Sequence, residues 1–271
     1  MKKNIIKFFT AVVVVCLVYA CTKNTGITNQ PYASYGVDTN GQLKIIFASA
    51  YTTAKNTTLI KLNGNVVSNY ITFPKATPFP GGGYNTGGSN YALYLAVPKG
   101  SNTVSVILPK VGTTTDSLVF FSGTVNIPDN SPYTLHITDT AANVKSILVK
   151  NLINPVDSGY CRFRFVNLIP NLTAVDLYLN GTLMKSNIPY LGMTDTFSVA
   201  VGANAPNYIN YATPTWAVRP AGSLPTSAVT ASYASTTVLQ NQAVLTLFSY
   251  GYAGVTGNRS PYLSGALDKN Q

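Results

Sequence analysis

The chain is poor in residues that do acid–base or nucleophilic chemistry. It carries one histidine, His136, no glutamate, and eight aspartates that stand singly. General acid–base catalysis near neutral pH draws on histidine, or on a carboxylate shifted by a close partner. A Ser–His–Asp set would need Asp139 or a distant aspartate to orient His136, and no Gly-x-Ser-x-Gly elbow is present. Zinc sites want several His or Cys ligands, which this composition does not supply. Of the three cysteines, Cys161 alone lies in the body of the chain, at the start of an alternating stretch that suits a buried small hydrophobe. The residues therefore predict no catalytic site, no metal and no cofactor. Paired-carboxylate hydrolysis is the least supported reading, because no spacing points to a pair.

The chain is instead rich in tyrosine, with 18 against one tryptophan. Tyrosine offers contact area at low conformational-entropy cost, and amides and hydroxyls beside it adapt to a partner. Tyr84, Tyr91, Tyr208, Tyr211, Tyr250 and Tyr252 all lie beside Asn, Ser or Gly and are the candidate binding-loop residues. Tyr84 and Tyr91 bracket much of a glycine-rich stretch, 74–90, containing PFPGGGYNTGGSN. No Gly-Lys-Ser/Thr and no helix follow it, so it is no phosphate cradle and reads as a flexible surface loop. His136 alternates with Leu135 and Ile137, which predicts a solvent-facing position on its strand.

Residues 1–20 combine Lys2, Lys3 and Lys7 with an apolar run too short to span a bilayer, the pattern of a signal peptide. Its end, Leu17-Val18-Tyr19-Ala20-Cys21, resembles a bacterial lipobox, which implies cleavage before Cys21 and lipidation on its sulfur. Two or more acyl chains give firm anchoring. Residues 21–42 have no apolar period and read as a tether. The implied address is the cell envelope, anchored to the outer membrane. In Bacteroidetes-type lipoproteins bound for the exterior, acidic residues often follow the Cys; Thr22-Lys23-Asn24 is not acidic, which tilts the reading toward a periplasm-facing anchor. Without Lys2, Lys3 and Lys7 the formal charge falls from +10 to +7. The remaining lysines are scattered without a basic run, so the excess reflects scarce acids and predicts no nucleic-acid partner.

The elements that carry the rest are strands. In Arg164 to Gly181, RFVNLIPNLTAVDLYLNG, Val175, Leu177 and Leu179 alternate with Asp176, Tyr178 and Asn180, and Asn180-Gly181 suits a tight hairpin turn. A weaker copy of this layout starts near Leu43 and ends at Asn63-Gly64. Further strands are expected at 43–48, 58–62, 91–97, 103–108, 117–126, 133–138, 197–201, 208–211, 216–219, 228–233 and 243–250, with 144–151 as an edge strand. Many short strands spaced by Gly, Pro, Asn and Ser argue for a sandwich. The duplicated layout divides the mature chain into a first β-sandwich domain, 43–150, and a second, 161–267.

Val166-Asn167-Leu168-Ile169-Pro170-Asn171, followed by Ala174-Val175-Asp176-Leu177-Tyr178-Leu179-Asn180-Gly181, resembles the bacterial family called domain of unknown function 4397. Members tend to read V-H-A-S-P-D-A-P-x-V-D-V-Y-V-D-G here. This chain keeps the Pro, the Val-Asp, the Tyr and the final Gly, and has Asn167 and Asn171 where the family has His and Asp. Pro132 to Ile137, PYTLHI, resembles the family's closing strand, and Ala243 to Phe248 does so more loosely. The resemblance implies an all-β protein of two tandem immunoglobulin-like antiparallel sandwiches, secreted or surface-bound, with no established activity.

These readings together predict a lipid-anchored envelope protein that is not an enzyme. It would bind or adhere to a glycan or protein partner through polar-aromatic loops. The alternative is a structural spacer or assembly subunit without a dedicated ligand.

Overall fold

Among the described residues, alternating apolar residues and paired turn residues build nineteen strands and no α-helix. The computed structural model describes residues 40–49, 57–72, 76–85, 91–140, 143–208, 210, 213–235 and 238–269. In the first half lie β1 (Gly41–Phe47), β2 (Thr57–Leu62), β3 (Asn65–Val66), β4 (Ile71–Thr72), β5 (Pro78–Phe79), β6 (Gly83–Tyr84), β7 (Leu95–Val97), β8 (Gly100–Pro109), β9 (Asp116–Ile127), β10 (Pro132–Thr138) and β11 (Lys145–Lys150). The second half holds β12 (Tyr160–Asn167), β13 (Ala174–Leu179), β14 (Thr182–Pro189), β15 (Phe197–Ala200), β16 (Thr215–Pro220), β17 (Ala231–Ala234), β18 (Val244–Tyr250) and β19 (Tyr262–Lys269). Most expected strands form; residues 208 and 210 are not in a strand, and β3, β4, β5, β6, β14 and β19 lie outside the expected ones.

Four sheets result. In the first half β11-β10-β1-β5, with β7 also on β1, faces β3-β2-β8-β9. In the second, β15-β12-β18-β19 faces β14-β13-β16-β17. The pairing repeats: β1 runs parallel to β10 as β12 does to β18, among otherwise antiparallel neighbours. The turns repeat as well. Asn63 and Asn180 take φ of 49° and 47°, followed by Gly64 at 84° and Gly181 at 81°, the left-handed pair that a two-residue hairpin needs. Each asparagine then accepts one backbone N–H through its side chain, from Thr103 at 2.8 Å and from Thr215 at 2.6 Å. This aligns Leu59–Leu62 with Asp176–Leu179, and Val104–Ile107 with Trp216–Arg219.

Each sandwich has its own core. Leu43, Ile45, Ile60, Val104 and Leu135 fill the first; Phe163, Phe165, Leu177, Trp216 and Leu247 fill the second. A third apolar cluster joins the halves: Ile46, Ala48 and Val149 pack with Val166, Phe248 and Ala266. The sheets containing β1 and β12 are thus covered on both faces, which makes four layers, and β10 and β18 are buried at every residue. Residues at equivalent positions meet across this contact. His136 touches Phe248 with ring centroids 5.6 Å apart, and the Asn151 amide donates to the Asp268 carboxylate at 3.0 Å. Lys44 Nζ donates to the Leu267 carbonyl while Arg164 donates to that of Lys150, so each cation reaches a strand of the opposite half, β19 and β11 respectively. This is the pattern of an isologous dimer interface, here within one chain.

Two expectations change. His136 is not on a solvent face; it is fully buried between the halves. The 74–90 stretch, where described, is not a free surface loop. Its β6 adds an edge strand to β19, Asn85 donates to the Leu263 carbonyl at 3.1 Å, and Ala76 N–H donates to the Tyr250 hydroxyl. Gly82 fits there because any Cβ would meet the Tyr91 carbonyl oxygen at 2.4 Å.

A chain trimmed to 160–271 would bare the joining face of β12, β18 and β19 and lose Tyr84 from its core. We expect it to self-associate in sedimentation runs through that self-complementary face and to unfold at lower urea than the whole chain. A monomer with an unshifted midpoint would show that the joining face contributes nothing.

Candidate functional site

On β13 the alternation sends Val175, Leu177 and Leu179 into the core and turns Asp176 and Tyr178 to the outer face of the fourth sheet. The β13–β14 register shifts on either side of Leu177, and Asn187 has a φ of 54°. Bulges of this kind re-aim side chains. Here the strand is bent so that Ser186 and Asn187 border an open cleft. Its wall is completed by Leu183 and by the turn after β16, with Ala221, Gly222, Ser223 and Pro225. The cleft has a volume of about 610 Å³, within the range of small-ligand sites.

Asp176 is the anchored group of this cleft. It is 4% exposed, and its two oxygens accept backbone N–H groups from Asn187 at 2.7 Å and Gly222 at 2.9 Å. Each oxygen keeps a further lone pair. Opposite it across the strands is Arg219, which stacks over the Tyr178 ring at 4.6 Å and donates through Nε to the Ser227 carbonyl. Arg219 is buried, and its NH1 has no hydrogen-bond partner among the described residues. A second, smaller cleft of about 370 Å³ lies between Gly159 and Gly202 and is lined by small or neutral residues.

The tyrosines singled out in the sequence do not form one surface. Tyr84 is buried in the second core, where burial pushes its hydroxyl up to about 12, and Tyr250 is buried at the joining face, stacked between Phe248 and Tyr262. Neither is available to a partner: both sit on strands whose faces are covered. Tyr252 is half-buried, its hydroxyl donating to Asp139 at 2.5 Å. Tyr91 is exposed and Tyr208 half-exposed, while Tyr211 and Cys21 lie outside the described residues. Cys161 is buried as expected, its thiol pushed up to about 12 by desolvation. Burial lowers His136 to about 3, aided by the nearby Lys44 charge. The cleft residues Asp176 and Tyr178 were legible as the outer half of an alternation, but not as parts of a cleft.

Residues 41–178 match the model of the family described as domain of unknown function (DUF4397). The chain belongs to this family. In this DUF4397 chain the matched stretch covers the first sandwich and ends in β13, at the floor of the cleft. No curated protein matches the sequence. Among solved structures, one described as alpha-glucan recognition by family 41 carbohydrate-binding modules from streptococcal virulence factors is 12% identical. It covers 82% of this chain and 96% of its own, with a TM-score of 0.23. A second, described as alpha-glucan binding by a streptococcal virulence factor, has the same identity, coverage and TM-score. These values leave no common fold to argue from.

Proposed function

We propose that this protein is a lipid-anchored component of the cell envelope, held at the outer membrane through Cys21. Its two sandwiches serve as tandem immunoglobulin-like modules that bind or adhere to a glycan or protein partner without chemistry. The observation that supports this best is where the reactive groups lie. The histidine and Cys161 are both enclosed, the histidine is shifted far below the range useful for proton transfer at neutral pH, and the open cleft presents hydroxyls, an amide and an anchored carboxylate instead. A group that cannot reach a substrate cannot act on it, whereas a rigid polar cleft needs only to be complementary.

The test has two arms. Cells making the full chain and its Cys21→Ala variant are labelled with a fatty acid, and the full chain, purified, is used to probe a glycan array and envelope extracts. We expect label on the natural chain only, with the variant left as an uncleaved or mislocalised precursor, and specific capture of a glycan or an envelope protein. Normal labelling of the variant would overturn the anchor. Substrate turnover lost on His136→Ala would overturn the non-enzymatic reading.

A further inference from the structure

The two halves offer an internal comparison at the outer face of their second sheets. Where the second half has Asp176 opposite Arg219, the first has Leu59 opposite Ile107, by the same register counted from the same Asn-Gly turn. Both pairs are buried: Leu59 is 3% and Ile107 0% exposed, against 4% and 8% for Asp176 and Arg219. The fold thus accepts an apolar pair at this place. Burying two charged groups instead costs desolvation that well-packed apolar residues avoid, so stability does not explain Asp176 and Arg219. Their equivalence with an apolar pair marks the second half's outer face as the one with a separate task.

We propose that the cleft at Asp176 is a binding site for a neutral saccharide. The inference rests on the binding-module reading above and supplies its site and ligand class. Three properties of the cleft select that class. Asp176 at its floor disfavours an anionic ligand, and Arg219, its partner in the β13–β16 register, brings a positive charge to the same sheet face and tempers the preference for a cation. Ser186, Asn187 and Ser223 ring it with neutral donors and acceptors, the complement of a polyol. Leu183, Ala221 and Pro225 add an apolar wall for the C–H face of a sugar ring, while the opening is too wide to enclose a purely apolar ligand. The carboxylate is already fixed by two backbone N–H groups, so it can accept sugar hydroxyls without reordering.

The experiment uses the full chain against malto-, cello-, manno- and xylo-oligosaccharides, with oligogalacturonate as the anionic comparator. Binding is read by saturation-transfer NMR and titration calorimetry. We expect at least one neutral series to bind, oligogalacturonate to bind more weakly, and Asp176→Asn to weaken the neutral ligand about tenfold or more through loss of charge-assisted hydrogen bonds. Ser186→Ala with Asn187→Gly removes two exposed side chains while keeping the left-handed backbone at 187, and should weaken binding similarly with little change in the thermal midpoint. Val111→Ser, on the exposed β8–β9 turn, should change nothing. Failure of all four neutral series to bind, or preference for oligogalacturonate, overturns the proposal. If a saccharide binds equally well to the Ser186/Asn187 double variant, the cleft assignment falls and the binding-module reading stands. Capture of an envelope protein by a chain that binds no saccharide has the same two consequences.

Discussion

Asp268→Ala should destabilise the protein by about 3–5 kcal/mol, the cost of breaking a buried charge network by removing one partner. Asp268 is 4% exposed, and its carboxylate accepts the Thr246 hydroxyl at 2.5 Å and the Asn151 amide at 3.0 Å. Its backbone carbonyl accepts the Tyr94 hydroxyl at 3.0 Å. Two cations are enclosed nearby. Lys44 is fully buried and donates to the Leu267 carbonyl; burial lowers it to about 8, and Asp268 opposes that fall. Arg164, mostly buried, is lowered by the same desolvation, with Asp268 and then Asp195 opposing. Removing the Asp268 carboxylate leaves Lys44 and Arg164 short of compensating charge and takes the acceptor from the Thr246 hydroxyl, while the Asn151 amide keeps Thr134 and Tyr94. Urea unfolding at pH 7.5 measures the loss. Lys44→Met combined with Asp268→Leu should recover the share that comes from Lys44, because an apolar pair carries no desolvation penalty, while Arg164 and the Thr246 hydroxyl stay uncompensated. A loss below about 1 kcal/mol in the single variant, the size of an ordinary neutral hydrogen bond, would mean that charge does not hold the two halves together.

Much of this fold could be read from period-two alternation and turn chemistry. Val175, Leu177 and Leu179 enter the core as expected, and both Asn-Gly turns adopt the left-handed pair that their residues allow. What alternation does not reveal is what covers the other face. His136 alternates with core residues and so reads as solvent-facing, yet a second sheet lies over it, and Thr134 and Arg164 are buried as well. Their neighbours across that contact, Asn151 and Asp268, are 117 positions apart, and no local pattern joins them. The glycine-rich stretch misled for a related reason. Glycine permits a mobile loop, but it equally permits the close approach of Gly82 to the Tyr91 backbone, next to the strand β6 that pairs with β19.

The candidate site was half visible. Asp176 and Tyr178 stood out as polar members of an otherwise apolar strand. That they border a cleft depends on the bulge opposite Leu177 and on the turn after β16, neither of which has a signature in composition. Residue type and neighbours alone do not reveal burial, and tyrosine serves both interiors and surfaces. Tyr84 and Tyr250 took the interior role.

His136 should make the protein acid-sensitive below about pH 6.5. Its two ring nitrogens have no hydrogen-bond partner among the described residues, it packs on Phe248, and Lys44 adds an unfavourable like charge. Folding holds it at about 3, against an ordinary 6.5, so between those limits the unfolded chain binds the extra proton. Stability is then complete above pH 6.5 and is lost progressively as pH falls toward 3, by roughly 1.4 kcal/mol per pH unit at the steepest. Asp268 acts in the opposite sense. Burial raises its carboxyl, so the folded state gains a proton first and is favoured as pH falls toward 3.8. Lys44, at about 8, and Arg164 keep their charge through this range and contribute a constant term. Replacing His136 by Phe, the residue that the second half uses at the equivalent position 248, removes the histidine's titration and leaves the others in place. Urea midpoints at pH 7.5, 6, 5 and 4 should therefore diverge, with natural protein and His136→Phe differing more at each lower pH. Parallel curves would show that the histidine titrates in the folded state as freely as in the unfolded one.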